Sequence, residues 1–182
     1  MFFKRLLKSD PAEETAWTLY RQVVETARQP ALFRDYGVPD SVDGRFESIV
    51  LHLVLVLRRL KRDFPEGEGL AGALQEVFYA DMDRSLREMG AGDLGVGKRV
   101  QRMAEGFVGR LASYEAALAD GFPDGEEALK AALVRNAYGT VSDGAVDPQD
   151  LLGYVRLQVE ALDRQPGAEL RGGTVGFVPL EA

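Results

Sequence analysis

The chain contains one histidine, His52, which lies in the middle of the apolar run Ile49-Val50-Leu51-His52-Leu53-Val54. A single imidazole can serve as an axial haem ligand or as one ligand of a metal ion. A lone histidine on an apolar helix is more often a buried residue held by a hydrogen bond, and we predict that role for His52. A haem-handling protein with His52 as ligand is kept as an alternative.

Two carboxylates, Asp81 and Asp83, flank Met82. Such a pair could hold a metal ion or share acid–base work. Residues two apart on a helix point in different directions, so these carboxylates cannot easily share one ion. We therefore predict that they are solvated or paired with Arg84 and Arg87, and we expect neither a metal site nor a cofactor.

The residue patterns of common hydrolases are missing from the sequence. There is no Ser–His–Asp set and no Gly-x-Ser-x-Gly motif, and the chain has no cysteine. The lack of cysteine excludes disulfides, thiolate metal sites and cysteine nucleophiles, and it suits a reducing compartment. We predict a protein that works by binding another protein and is not an enzyme.

The net charge of −7 is unevenly distributed along the chain. Residues 45–62 hold five basic residues and one acidic residue, and residues 84–110 hold six and three. From Asp120 onward there are eleven acidic residues and five basic ones. Because positive charge supplies most of the affinity for phosphates, the acidic total argues against DNA as a partner. The basic middle is the better candidate for a binding surface.

Helical periodicity dominates the sequence and predicts an all-α, single-domain bundle of about six helices. The helices are expected near residues 11–28, 42–63, 70–89, 96–119, 125–138 and 148–163. Asp10 is the predicted N-cap of the first, and a short helical turn follows at 30–36. We divide the chain into a basic, apolar N-terminal segment (1–10), a helical domain (11–164) and a loose, glycine-rich tail (165–182).

The predicted fourth helix carries Lys98, Arg99, Arg102 and Arg110 on its polar side. Lys98 and Arg102 lie one turn apart and repel each other, which a purely structural surface would tend to avoid. We predict that this face contacts a partner. An acidic protein, ribosomal RNA and anionic lipid are all compatible with it.

The first residues combine apolar and cationic side chains: Phe2, Phe3, Lys4, Arg5, Leu6, Leu7 and Lys8. This mixture suits an anionic membrane surface, and a frayed terminus without a role is the alternative. The sequence shows no signal or transit peptide, and its longest uncharged apolar run, Ser48–Leu57, is too short to cross a bilayer. We predict a cytoplasmic bacterial protein with peripheral contact at the inner face of the membrane.

Two blocks of sequence resemble the ubiquinol–cytochrome c chaperone family. The first is Tyr36-Gly37-Val38-Pro39-Asp40-Ser41-Val42-Asp43-Gly44-Arg45-Phe46, running into Leu51-His52-Leu53. The second is Asp81-Met82-Asp83-Arg84-Ser85-Leu86-Arg87-Glu88-Met89-Gly90, followed by Gly92-Asp93-Leu94 and Val96-Gly97-Lys98-Arg99-Val100. The resemblance covers about residues 16–118 and fades in the acidic C-terminal third.

The resemblance implies an assembly factor for the cytochrome bc1 complex. It implies cytochrome b or its nascent chain as the partner, met near the ribosome and stabilised until haem insertion. On this basis, the partner-binding surface is predicted to comprise Asp81, Asp83, Arg84, Arg87, Asp93, Lys98, Arg99, Arg102 and Arg110. An apolar groove beside these residues is expected to receive a hydrophobic client segment. A ribosome-binding adaptor stays open as an alternative function.

Overall fold

The structure is a computed structural model that describes residues 10–88, 93–141 and 147–180, with the backbone alone for residues 93–100 and 102. Every regular element in these ranges is an α-helix, which confirms the all-α prediction. The helices are α1 (Pro11–Ala27), α2 (Pro30–Arg34), α3 (Val42–Arg62), α4 (Glu68–Glu88), α5 (Asp93–Ala117), α6 (Glu126–Asn136), α7 (Gln149–Arg164) and α8 (Gly167–Arg171). Within the described residues, no helix is long and apolar enough to cross a membrane.

Helix α3 is the centre of the bundle. Residues 47–57 are all buried, and α1, α4, α5, α7 and α8 each pack against α3. A helix that is apolar on every side gains most by being surrounded by other helices, and the uncharged run Ser48–Leu57 meets that requirement. The long helices around it bury one face each.

The start of α3 is fixed by the loop that precedes it. Ser41 is the N-cap, and its hydroxyl accepts a 3.1 Å hydrogen bond from the amide of Gly44. At Gly44, an added Cβ would lie 2.0 Å from the carbonyl oxygen of Pro39. The loop can therefore pack on the first turn of α3 only because residue 44 is glycine.

A buried arginine joins the end of α3 to the end of α7. Arg59 is 7% exposed, and its guanidinium donates 2.8 Å hydrogen bonds to the carbonyl oxygens of Leu162 and Gln165. It also pairs with Asp63 at 2.6 Å. The last carbonyl groups of a helix have no partner inside the helix, so Arg59 satisfies part of the C-terminus of α7.

The prediction of a loose tail after residue 164 is wrong for residues 165–180. Leu170 of α8 is fully buried, and Arg171 pairs with Asp63 at 2.5 Å. Glutamine side chains then bind the main chain of residues 173–178. The glycine content predicted flexibility, whereas these side chains supply the hydrogen bonds that fix the segment in place.

Candidate functional site

Part of the predicted site lies outside the described residues. This applies to the N-terminal set Phe2, Phe3, Lys4, Arg5, Leu6, Leu7 and Lys8. It applies also to the side chains of Asp93, Lys98, Arg99 and Arg102, whose backbone belongs to α5. Helix α5 begins at Asp93, about one turn earlier than predicted. The roles given to these residues stay predictions.

Asp81 lies at the centre of a polar cluster between α1 and α4. It is 8% exposed and accepts a 2.9 Å hydrogen bond from the hydroxyl of Tyr20. It also pairs with Arg84, whose guanidinium lies 5.9 Å from the centre of the Trp17 ring. Burial, and then the nearby Asp81 carboxylate, raise the pKa of Tyr20 far above its usual value. The hydroxyl is therefore a fixed donor to Asp81.

Asp83 points away from Asp81 and pairs with Arg87 at 2.7 Å. The hydrogen bond from Arg87 lowers the pKa of the Asp83 carboxyl group. The two carboxylates thus have separate arginine partners, as predicted from their spacing. Among the described residues, no group of three or more His, Cys, Asp or Glu side chains is placed to hold a metal ion.

Arg110 forms an ion pair inside the bundle. Its Nε atom lies 2.7 Å from each carboxylate oxygen of Glu47 on α3, and its guanidinium lies 5.6 Å from the centre of the Phe46 ring. Glu47 is 6% exposed, and this burial raises its pKa although Arg110 acts in the opposite direction. Glu47 is not among the residues predicted for the site, although it is the only acidic residue within the basic stretch 45–62 of the sequence.

Aromatic side chains connect the polar cluster at Asp81 with the Arg110–Glu47 ion pair. The ring of Phe78 on α4 lies 6.4 Å from Tyr20, 6.2 Å from Phe46 and 4.7 Å from Phe107, measured between ring centres. Tyr20 belongs to the Asp81 cluster, and Phe46 lies beneath Arg110. A continuous set of packed aromatic rings therefore connects the surroundings of Asp81 on α4 with those of Arg110 on α5.

An open groove of about 560 Å³ lies beside Arg110, between the start of α3, α5 and the end of α6. Its apolar side is formed by Val42, Phe46, Leu86 and Met103. Val42 is 71% exposed although it lies beside other apolar residues of the groove. An exposed apolar patch of this kind often marks a binding site. We call this cavity the α3–α5 groove.

Arg110, Arg135 and Asn136 form the polar end of the α3–α5 groove. The Nδ2 atom of Asn136 is itself buried and does not reach the groove surface. The hydroxyl of Tyr114 is fully buried as well, and this burial raises its pKa well above the usual range. Arg135 is exposed, so its guanidinium is a donor that a bound segment can reach.

His52 is buried and hydrogen-bonded, as predicted. Its Nδ1 lies 2.7 Å from the carbonyl oxygen of Ser48 and donates to it, so Nε2 accepts from the hydroxyl of Tyr154, also at 2.7 Å. Burial lowers the pKa of His52 to about 4. An iron atom at Nε2 would have to displace Tyr154, so this geometry does not favour haem binding.

Comparisons with known proteins identify the family of this chain. The sequence pattern of the family described as ubiquinol-cytochrome C chaperone matches residues 34–177, and the chain belongs to that family. The match includes the acidic C-terminal third, where the sequence motifs gave no resemblance. The α3–α5 groove, the Asp81–Arg84 pair and His52 all lie within it.

Among the relatives, ubiquinol-cytochrome-c reductase complex assembly factor 1 of Xenopus laevis is 26% identical over 166 residues, which is 91% of this chain and 81% of the relative. The Drosophila melanogaster protein named assembly factor 1 of the same complex is 25% identical over 84% of this chain and 59% of its own length. This chain thus spans less than two thirds of the fly protein. The crystal structure of the Cbp3 homolog from Brucella abortus superposes with a TM-score of 0.79 and 34% identity, covering 92% of this chain and 91% of that one.

Proposed function

We propose that this protein is an assembly factor for the ubiquinol–cytochrome c reductase (cytochrome bc1) complex and that it binds cytochrome b or its nascent chain. The observation that carries the proposal is the family match over residues 34–177. Relatives from frog and fly are named for the assembly of this complex. The protein acts by binding a client rather than by catalysing a reaction.

The α3–α5 groove is the proposed client site. A volume of about 560 Å³ holds several apolar side chains but no folded domain, so the groove suits one segment of a client. Val42, Phe46, Leu86 and Met103 would contact the apolar face of that segment. This is the pattern by which a groove binds an amphipathic or apolar helix.

Charged residues beside the groove form the rest of the proposed surface. Arg84 and Arg87 are 62% and 53% exposed at the end of α4. Asp83, the buried Asp81 and Arg110 complete the part of the predicted surface whose side chains are described. Asp93, Lys98, Arg99 and Arg102 would continue it along α5. We propose that this surface contacts polar parts of cytochrome b or the ribosome, at the inner face of the membrane.

The proposal is tested by deleting the gene in the source bacterium and measuring the bc1 complex with a haem-stained membrane gel and a cytochrome b spectrum. We expect the bc1 signal to be lost and to be restored by the wild-type gene. Val42→Glu and the triple variant Lys98→Glu/Arg99→Glu/Arg102→Glu should restore it poorly. Phe64→Glu is the matched control, because Phe64 is 69% exposed and lies just beyond the other end of α3.

An unchanged bc1 level in the deletion strain would contradict the proposed client. In that case, salt-sensitive co-sedimentation with ribosomes would test the adaptor function, since contacts to ribosomal RNA weaken as salt rises.

A further inference from the structure

The C-terminal segment of residues 173–180, here called the strap, is held mainly by side-chain amides. Three glutamines, Gln22 of α1, Gln158 of α7 and Gln165 at the end of α7, each form two hydrogen bonds to the main chain of the strap. None of these six hydrogen bonds involves a side chain of the strap. These six hydrogen bonds therefore recognise a polypeptide backbone and not a particular sequence.

The hydrogen bonds alternate as they do along a β-strand. The Nε2 atom of Gln22 donates to the carbonyl oxygen of Gly173 at 2.7 Å, and its Oε1 accepts from the amide of Val175 at 3.0 Å. The main-chain groups of residues i and i+2 point to the same side of an extended chain. Gln22 therefore binds one edge of the strap.

The other two glutamines bind the residues of opposite parity. Gln165 bonds the carbonyl oxygen of Thr174 at 2.9 Å and the amide of Gly176 at 3.0 Å. Gln158 bonds both main-chain groups of Val178, at 2.9 and 2.8 Å. The strap is thus clamped along both of its edges, as an inner strand would be in a sheet.

The side chains of the strap add apolar contacts on one face only. Val175, Phe177 and Leu180 are partly buried against the core, whereas Thr174, Val178 and Pro179 are exposed. The ring centre of Phe177 lies 5.5 Å from that of His52. Below the strap, α8 has its own anchors in Leu170 and Arg171. The strap can therefore leave while α8 stays in place.

We infer that the channel clamped by Gln22, Gln158 and Gln165 is a second peptide-binding site, which the strap fills in the free protein and an extended segment of a client polypeptide fills by displacing it. The occupant rests on the proposed function, because a client still being made presents extended chain. A site that reads the backbone accepts such a segment with little regard to its side chains. One restriction exists at Gly176, where an added Cβ would lie 3.1 Å from the Gln165 side chain, so a small residue fits best.

The strap competes with any peptide because it is tethered to the site at a high effective concentration, of the order of millimolar for short linkers. The test uses the full chain and a fluorescent peptide with the sequence of residues 173–180, read by fluorescence anisotropy. In the variant Val175→Pro/Val178→Pro, the strap loses two donors while the channel is unchanged. We expect this variant to bind the peptide at least about tenfold more tightly than the wild type does, as release from that competition requires.

Two control peptides distinguish binding through main-chain hydrogen bonds from non-specific hydrophobic binding. A peptide that is N-methylated at the positions of Val175, Gly176 and Val178 should lose binding. A peptide of different sequence that keeps the glycine of position 176 and apolar residues at positions 175, 177 and 180 should retain it. Added peptide should also speed hydrogen exchange at the strap amides of the wild-type protein and leave α3 protected. Equal binding by the wild type and the proline variant, or undiminished binding of the methylated peptide, would overturn the inference.

The outcome is independent of the deletion experiment. If bc1 is lost in the deletion strain but the protein does not bind the peptide, the second peptide-binding site is refuted and the proposed function stands. If the protein binds the peptide but bc1 is unchanged in the deletion strain, the site stands and cytochrome b is refuted as its client.

Discussion

Arg110 on α5 and Glu47 on α3, 63 residues apart in sequence, form an ion pair at the wall of the α3–α5 groove, with Nε 2.7 Å from both carboxylate oxygens. The pair fixes the two helices that border the groove and covers the ring of Phe46. Arg110, which was predicted to belong to the partner-binding surface, is therefore a structural element of the site.

Replacing Arg110 with Met should destabilise the protein by about 3–5 kcal/mol, because Glu47 would remain buried without its partner. The double variant Glu47→Leu/Arg110→Met should recover most of this loss. The free energies of unfolding of both variants are to be measured by urea unfolding followed by circular dichroism. Equal stability of the single and the double variant would contradict the prediction, because Glu47 without its partner would then carry no penalty.

The loss in Arg110→Met should also depend on pH. Burial already raises the pKa of Glu47, and without Arg110 it would rise further. A carboxyl group with a raised pKa in the folded state binds its proton more readily there than in the unfolded state. The penalty is therefore present above the folded pKa and is relieved as pH falls through it. Urea unfolding at pH 7 and pH 5 should show the smaller loss at pH 5, and an equal loss would contradict this explanation.

Asp81 and Asp83 form a matched pair for mutation, because they lie two residues apart on α4 and differ in burial. Asp81→Ala would leave the buried hydroxyl of Tyr20 without its acceptor and should cost about 1–3 kcal/mol of stability. Asp83→Ala breaks only a solvent-exposed ion pair and should change the stability little. Thermal unfolding of both variants would decide; equal losses would mean that the Tyr20–Asp81 contact is not the cause.

The stability of the wild-type protein should fall by about 2 kcal/mol from pH 7.5 to pH 5 because of His52 alone. Its pKa is about 4 in the folded state and about 6.5 when unfolded, so between these values the unfolded chain binds the proton more strongly. This contribution is constant above about pH 6.5 and is lost as pH falls towards 4.

His52→Leu is the variant that isolates this effect. It should be less stable at pH 7.5, since Ser48 and Tyr154 lose a partner, but its stability should lack the histidine-dependent fall between pH 7.5 and 5. An unchanged pH dependence in the variant would assign the effect to other groups. A Soret band on adding haemin to the wild type, absent from His52→Ala, would instead support the haem alternative.

Two glycines inside helices should respond to alanine in opposite directions. At Gly72 of α4 nothing lies within 4 Å of an added Cβ, so Gly72→Ala should stabilise the protein by about 0.5–1 kcal/mol through helix propensity. At Gly44 the same change meets the carbonyl of Pro39 and should cost about 1–3 kcal/mol. Stabilisation by both substitutions would show that the loop before α3 yields easily.

The helices could be predicted because their signals are local. Asp10 does cap α1 with a 3.0 Å hydrogen bond from the amide of Ala12, and the apolar run of α3 predicted its burial. The periodicity of α1 predicts Trp17, Tyr20, Val24 and Ala27 on its apolar face. Tyr20 and Ala27 are buried, but Trp17 and Val24 are only partly so, and the fully buried Leu19 and Val23 are missing from that set. The neighbours α3 and α4 set that rotation, and they are distant in sequence.

The site was harder to predict, because its key contacts join distant residues. The spacing of Asp81 and Asp83 correctly predicted separate partners, but neither the Tyr20 contact nor the pairing of Arg110 with Glu47 has a local signal. The tail shows the same limit. Its glycines suggested a loose segment, while Gln22, about 150 residues earlier in the chain, supplies two of the bonds that hold it.

Site-specific photo-crosslinking in growing cells tests most directly whether the α3–α5 groove binds cytochrome b. Val42, the first residue of α3, and Phe64, two residues after its end, are 71% and 69% exposed. They lie roughly 30 Å apart along the helix direction. With a photoreactive residue at position 42, we expect a crosslinked product that contains newly made cytochrome b, and none from position 64. A product without cytochrome b at position 42, or equal cytochrome b products from both positions, would contradict the claim.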